Sequence, residues 1–124
     1  MKSASMQLGR VTVSAGSEPY VIAEIGVNHE GSLDLAKQLI DLAKQGGADA
    51  AKFQTYKAET LASKHSPAYW DTTKEVTLSQ YELFKKYDAF GPAEYKQLAE
   101  HCARVGIEFI STPFDDEAVD MLAP

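Results

Sequence analysis

A lysine and a glutamine interrupt an otherwise mostly apolar stretch at alternate positions. Lys52 and Gln54 lie within Ala48–Thr55, which reads as a short strand, and alternate strand residues point to the same face. A strand covered by helices on both faces should be apolar on both. Because burying an unpaired ammonium is costly, Lys52 should either face an anionic ligand in a cleft or pair with a carboxylate. A position at the sheet edge would also explain it.

Composition and charge limit the function classes. The chain has 124 residues, of which 44% are hydrophobic and 24% charged, as in one soluble globular domain. Its net charge of -6 argues against a nucleic-acid partner, but not against a small anionic ligand. The sequence has no bilayer-spanning apolar run and no apolar secretory signal, and its single cysteine allows no intrachain disulfide. We therefore expect a cytoplasmic protein with no membrane partner.

Apolar runs alternate with helical patterns along the chain. Tyr20–Ile25, Ala50–Gln54 and Ile107–Ser111 are the predicted strands. Helices are predicted after Ser32 and from Pro92, because apolar residues recur there at helical spacing and glycines follow. The short crossovers between the strands predict that they are parallel and adjacent in chain order.

This order of elements predicts the α/β class, with either an open doubly wound sheet or part of a barrel. A complete (β/α)8 barrel takes about 250 residues, so a barrel chain of this length would supply its first three βα units and be incomplete. Residues 1–19 are predicted to form a β-hairpin and connector, with Gly9 and Arg10 at the turn. Residues 20–124 would form the N-terminal part of the barrel.

The segment from Thr55 to Gly91 is too long for a simple connection. Its aromatic residues are too numerous for simple disorder. Ser79–Glu82 fits a capping box, which predicts a short helix reaching about Tyr87. Trp70 is predicted to anchor the segment.

Polar residues gather near the carboxyl ends of the predicted strands, where ligands bind in both architectures. They are Glu24, Lys52, Gln54, Ser111 and Thr112. Lys52 could hold a phosphate or carboxylate, the two hydroxyls could bind substrate oxygens, and Glu24 could transfer a proton or hold sugar hydroxyls. A salt bridge between Glu24 and Lys52 across adjacent strands is the structural alternative, and the two interpretations can coexist.

Other polar residues have simpler explanations. Asn28 and His29 could contact substrate from the first loop, or could fix that loop by local hydrogen bonds. His65 and His101 lack metal-ligand spacing and are predicted to be surface residues. Cys102 falls on an apolar helical stripe and is predicted to be a packed core thiol. No glycine-rich nucleotide motif is present in the sequence.

Separate stretches of the sequence resemble signatures of the sialic acid (N-acetylneuraminate) synthase family. They are Ala23–Gly31, Gly47–Thr55, Ser79–Glu82 and Ile110–Asp115. The resemblance extends from about Met6 to Leu122 and implies the N-terminal part of the family's catalytic TIM barrel.

The resemblance also implies a reaction. Enzymes of that family condense phosphoenolpyruvate with N-acetylmannosamine or a related N-acyl hexose to a nine-carbon 2-keto sugar acid, and release phosphate. By this resemblance Lys52 and Thr112 would contact phosphoenolpyruvate, Gln54 would contact the sugar and Glu24 would lie at the reacting centre. A divalent metal, Mn2+ or Mg2+, would activate the sugar aldehyde, with its ligands outside this chain. The complete enzyme is expected to be a homodimer.

Because the family's metal-binding histidines and C-terminal domain are not matched here, the chain alone is expected to be an inactive fragment. One alternative is an aldolase in which Lys52 forms a Schiff base, which requires a desolvated lysine that can lose its proton. Another is a binding or assembly module that kept the fold and lost catalysis. The sequence does not distinguish N-acetylmannosamine, its 6-phosphate and bacterial diacetamido sugars as substrate.

Overall fold

A two-stranded hairpin precedes a three-stranded parallel sheet in the computed structural model, which describes residues 4–123. The hairpin pairs β1 (Ser5–Leu8) with β2 (Val11–Ser14) in antiparallel register. Its turn lies where the sequence predicted it, and Gly9 adopts a φ of 56°, a conformation that favours glycine. Residues 1–3 of the predicted hairpin unit, and residue 124 of the predicted barrel segment, lie outside the described residues.

The strands of the parallel sheet follow the chain order. They are β3 (Ile22–Gly26), β4 (Ala50–Thr55) and β5 (Glu108–Pro113). The predicted parallel arrangement is confirmed, but the third strand is longer than predicted. It continues past Ser111, where the predicted strand ended, because Thr112 pairs with Gln54 and Pro113 pairs with Thr55.

In the described residues, helices connect the strands, and three of them are capped by a side chain at the N-terminus. They are α1 (Leu33–Gln45), α2 (Ala58–Leu61), α3 (Gln80–Tyr87), α4 (Pro92–Val105) and α5 (Asp116–Leu122). The side chains of Ser32, Ser79 and Asp115 each accept a backbone N–H from the first turn of their helix. The short α2 was not predicted from the sequence. Within the described residues, none of these helices has the length and apolar character needed to cross a membrane.

Helices α1 and α4 cover one face of the sheet. Phe53 of β4, Ile40 of α1 and Leu98 of α4 are fully buried in this core. Cys102 is fully buried beside them, which confirms the predicted core thiol. Burial raises the pKa of this thiol to about 12, so it remains protonated and unreactive.

His101 is not the surface residue that the sequence predicted. Its side chain is 11% exposed, and Nε2 lies 2.7 Å from Oδ1 of Asp41, so it links α4 to α1. Arg104 lies 2.7 Å from the other ring nitrogen. The sequence could not show this contact because it depends on how two helices pack side by side. His65 is exposed, as predicted.

Contacts at its base close the long segment between β4 and α4. The Lys57 ammonium donates to the backbone carbonyls of Asp88 and Phe90, at 3.0 and 3.1 Å. In return the Asp88 carboxylate accepts the backbone N–H of Ala58 at 3.0 Å. Trp70, the predicted anchor, is half-buried and donates to the Thr77 carbonyl within the segment. The segment is therefore tied to itself where it leaves β4 and where it reaches α4.

Candidate functional site

Strand β4 gives the candidate site its position because its two faces differ. Ala51, Phe53 and Thr55 are buried on the face beneath the helices. Lys52 and Gln54 alternate with them and are only partly buried on the opposite face. We call Glu24, Lys52, Gln54 and Thr112 the polar face, since the register aligns Glu24 with Lys52 and Thr112 with Gln54.

Glu24 and Lys52 form an ion pair across β3 and β4. Lys52 Nζ lies 2.7 Å from Glu24 Oε2, and the side chains are 33% and 46% exposed, respectively. The salt bridge that the sequence offered as a structural alternative is therefore present. An ammonium carries three N–H donors, so this pairing does not prevent Lys52 from contacting a second anion. Schiff-base formation would require the Lys52 amine to leave this ion pair and attack a carbonyl carbon.

Gln54 and Thr112 extend the polar face toward the carboxyl ends of the strands. They are register partners in parallel strands, so their side chains share one face. Gly26 ends β3 with a φ of 55°, and a Cβ there would lie 3.5 Å from both Gln54 Nε2 and Glu24 Oε1. The amide and the carboxylate therefore flank the same glycine at the strand end. The polar face presents a cation, a carboxylate, an amide and a hydroxyl on adjacent strands.

Ser111 lies on the opposite side of the sheet from this group. It is the register partner of the buried Phe53, and its hydroxyl lies 2.6 Å from the Thr55 hydroxyl. Adjacent residues in a strand point to opposite faces, so Ser111 and Thr112 are separated by the sheet. The structure therefore does not bring Ser111 together with the other predicted site residues.

Asn28 and His29 fix the first loop by local hydrogen bonds. The Asn28 amide donates to the Ile25 carbonyl at 2.9 Å, and the Gly31 N–H donates to His29 Nδ1 at 3.0 Å. His29 is 2% exposed and stacks on Phe90 with ring centroids 4.2 Å apart. Burial lowers the pKa of its imidazole. Of the two roles that the sequence left open for this pair, the geometry shows the local one.

The described residues contain no group of side chains that is arranged to bind a metal ion. Within residues 4–123, no three His, Cys, Asp or Glu side chains are grouped so that they could hold a metal ion. On the polar face, Glu24 already pairs with the Lys52 ammonium.

Sequence reasoning missed the residues that hold the strand ends in place. Tyr95 of α4 is 8% exposed and donates its hydroxyl to the Gln54 carbonyl at 2.9 Å. Thr55 pairs with Ser111, and its carbonyl accepts the Phe114 N–H at 3.1 Å. The sequence does show hydroxyl residues, Thr55 and Ser111, near the ends of two strands. This signal could be interpreted only once the register of β4 and β5 and the orientation of α4 were known.

Comparison with known proteins decides the family. The sequence profile of the NeuB family matches residues 39–124, which is more than half of the chain. The chain belongs to the NeuB family. The predicted resemblance to sialic acid synthases is therefore confirmed at the level of the family.

Its relatives are synthases of several sugar acids. The chain is 43% identical over 105 residues to N,N'-diacetyllegionaminic acid synthase of Legionella pneumophila, covering 83% of this chain and 29% of the relative. It is 37% identical over 108 residues to human N-acetylneuraminate-9-phosphate synthase, covering 86% of this chain and 30% of the relative. This NeuB-family chain thus spans about three tenths of the length of the curated relatives it matches.

A solved structure has the same arrangement. The crystal structure of N-acetylneuraminic acid synthetase from Leptospira borgpetersenii matches with a TM-score of 0.79 and 33% sequence identity. The match covers 97% of this chain and 38% of the synthetase chain. The hairpin, the parallel sheet and its helices are therefore an α/β arrangement that this NeuB-family chain shares with a sialic acid synthetase.

Proposed function

We propose that this chain is the N-terminal part of the (β/α)8 catalytic barrel of a cytoplasmic sialic-acid-type synthase. The synthase would condense phosphoenolpyruvate with an N-acyl hexosamine to a 2-keto sugar acid and release phosphate. The observation that carries the proposal is the polar face, which lies near the carboxyl ends of three parallel strands in a NeuB-family chain. Ligands of barrel enzymes bind at this end of the strands.

Each residue of the polar face has chemistry that suits this reaction. The Lys52 ammonium would hold the phosphate or carboxylate of phosphoenolpyruvate as a point charge. The Thr112 hydroxyl would donate to a phosphate oxygen, and the Gln54 amide would bind the sugar by donating to or accepting from its oxygens. Their placement on adjacent strands would hold two substrates side by side, as a condensation requires.

Glu24 would handle a proton at the reacting centre. A carbon–carbon bond forms between the methylene carbon of phosphoenolpyruvate and the sugar aldehyde carbon, whose oxygen takes a proton. Water then adds to the carbon that carries the phosphate, and the carbon–oxygen bond to phosphate breaks to give the 2-keto acid. A carboxylate beside that carbon can take the proton from the attacking water. The Lys52 partner would hold the Glu24 carboxylate in place for this step.

A divalent metal and a second subunit are part of the proposed synthase. The divalent metal that the family resemblance implies does not fit the described residues, since they group no metal ligands and Glu24 is engaged with Lys52. Residues 4–123 therefore take no metal-dependent role in the proposal. The complete synthase would bind Mn2+ or Mg2+ elsewhere and would act as a homodimer, and this chain alone would be inactive.

Phosphate release tests the proposed reaction. A protein of the relatives' full length that carries this sequence would be mixed with phosphoenolpyruvate and, in turn, N-acetylmannosamine, its 6-phosphate and a diacetamido hexose. We expect phosphate release only when both substrates are present, together with a product of the mass of the 2-keto sugar acid. A folded protein that releases no phosphate with any of these sugars would contradict the proposal and favour a non-catalytic binding module.

The aldolase alternative is tested separately. Borohydride would be added to the same protein in the presence of pyruvate, which reduces any Schiff base to a stable amine. We expect no adduct on Lys52, because its Nζ is held 2.7 Å from Glu24 Oε2 in an ion pair and is not free to attack a carbonyl. A covalent adduct located at Lys52 by peptide mass would support the aldolase and contradict the synthase.

A further inference from the structure

We propose that Thr55 and Ser111 are positioning residues for the polar face. Their hydroxyl pair joins the carboxyl ends of β4 and β5 from the helix side of the sheet. Gln54 precedes Thr55 and Thr112 follows Ser111, so the pair sets the spacing of two polar-face side chains without touching a ligand. The inference rests on the proposed function for the roles of Gln54 and Thr112.

The hydroxyl pair of Thr55 and Ser111 lies near the carboxyl ends of β4 and β5. Thr55 is 5% exposed, and the 2.6 Å separation of the two oxygens is at the short end of the range for hydroxyl hydrogen bonds. Phe114 donates the next backbone bond, to the Thr55 carbonyl, just before the chain turns toward α5. Side-chain and backbone links thus occur together at the point where β5 leaves the sheet.

A second contact holds the same strand end from α4. The Tyr95 hydroxyl donates to the Gln54 carbonyl at 2.9 Å, directly before Thr55 in the chain. Burial raises the pKa of this phenol, so it stays protonated and continues to donate. The backbone of Gln54 is therefore fixed from the helix side, and its side chain projects from the opposite face.

The position of Thr55 and Ser111 determines which property changes when one of the hydroxyls is removed. Thr55 and Ser111 face the core side, so they have no direct path to a ligand on the polar face. Removing one hydroxyl leaves the other without its partner and loosens the two strand ends. Gln54 and Thr112 would then be displaced from the positions in which they contact their substrates. The expected defect is therefore in substrate binding by residues that were not altered.

The test separates binding from turnover in a protein of full family length that carries this sequence. In Thr55→Val and Ser111→Ala we expect KM for phosphoenolpyruvate and for the sugar each to rise about three- to tenfold, the range for one lost neutral hydrogen bond. We expect kcat to change less than KM. The double variant should be no worse than the poorer single variant, and Thr55→Ser should restore both KM values because it keeps the hydroxyl.

The hairpin offers a matched control. The Thr12 hydroxyl donates to Gln7 Oε1 at 2.6 Å, a bond as short as the Thr55–Ser111 pair but within the hairpin, which forms a sheet of its own. Thr12→Val should leave both KM values unchanged. A rise in KM as large as that in Thr55→Val would show a non-specific effect and would contradict the positioning role.

Hydrogen exchange gives a readout that does not need turnover. We expect the Phe114 amide, which donates to the Thr55 carbonyl, to exchange faster in Thr55→Val than in the parent protein. Unchanged exchange, or faster exchange with both KM values unaltered, would overturn the positioning role. If the parent protein releases no phosphate, the proposed function fails instead, and the exchange rate at Phe114 still decides whether the hydroxyl pair holds the strand ends.

Discussion

The two faces of β4 show how one strand separates folding from chemistry. On the helix side, Phe53 is fully buried and contacts the core formed by α1 and α4. On the other side, the neighbouring Lys52 is 33% exposed and pairs with a carboxylate that is itself 46% exposed. Residues that are adjacent in sequence therefore have different tasks, and the alternation of the strand is what divides them.

This difference has an energetic consequence. Burial of an aromatic side chain is a large stabilising contribution, whereas an exposed ion pair contributes only about 0–1 kcal/mol to folding. Substitutions on the helix side should therefore reduce the free energy of unfolding. Substitutions on the polar face should leave stability nearly unchanged and alter ligand binding or turnover.

The largest expected effect is on the helix side. Phe53→Ala should lower the free energy of unfolding by about 3–5 kcal/mol, because it removes a fully buried ring and leaves a cavity. Urea denaturation followed by circular dichroism measures the loss. A decrease of less than about 1 kcal/mol would mean that this face is not the core of the protein.

Lys52 should give the opposite result. In a full-length synthase, Lys52→Met should weaken use of phosphoenolpyruvate about 30- to 1,000-fold, since a charged hydrogen-bond partner is lost while the apolar stem is kept. Its free energy of unfolding should change by no more than about 1 kcal/mol. Lys74→Met is the control, because Lys74 also pairs with an acid but is 85% exposed in the long segment. A Lys52→Met protein that unfolds, yet uses phosphoenolpyruvate normally where folded, would make Lys52 purely structural.

Glu24 should affect a different kinetic constant. Glu24→Gln keeps the shape of the side chain and removes its charge, so turnover should fall by about 100-fold, as when a general base is lost. The affinity for phosphoenolpyruvate should change little, because the proposed role is at the reacting carbon and not at the phosphate. Steady-state kinetics with phosphoenolpyruvate as the varied substrate separates the two constants. Normal turnover in this variant would leave Glu24 only as the partner of Lys52.

The sequence predicted the fold well where local patterns decide it. Apolar runs, the Ser32 and Ser79 caps and the Gly9 turn identified the strands, two helix starts and the hairpin. The end of β5 was missed because the predicted strand stopped at Ser111, whereas pairing with β4 keeps Thr112 and Pro113 in the strand. Such pairing is a long-range effect that propensity does not contain.

The candidate site was predicted less completely for the same reason. Lys52 and Gln54 were placed on one face by alternation alone, and the Glu24 partner was anticipated from adjacent parallel strands. Alternation also separates Ser111 from Thr112, but this could be applied only after the strand was known to extend through both. The roles of His101 and Tyr95 depend on helix packing, which residue spacing does not specify.

The smallest effect that we predict is a pH dependence of stability that arises from His29, a buried histidine in the loop after β3. His29 is 2% exposed, and burial lowers the pKa of its imidazole below the ordinary value of 6.5. Above about pH 6.5 the ring is neutral in both folded and unfolded protein, so its contribution to stability is fully present. As the pH falls below this value, the unfolded chain binds a proton that the folded protein does not, and the free energy of unfolding decreases.

Denaturation of this chain at several pH values between about 7.5 and 5 measures the effect, whose slope for one proton is at most about 1.4 kcal/mol per pH unit. In His29→Gln the contribution of the imidazole to this change of the free energy of unfolding with pH should disappear. His65→Gln is the matched control, because His65 is exposed and its substitution should leave the slope as in the parent chain. If His29→Gln kept the full pH dependence of the free energy of unfolding, that dependence would come from other groups. The prediction that buried His29 resists protonation would then be wrong.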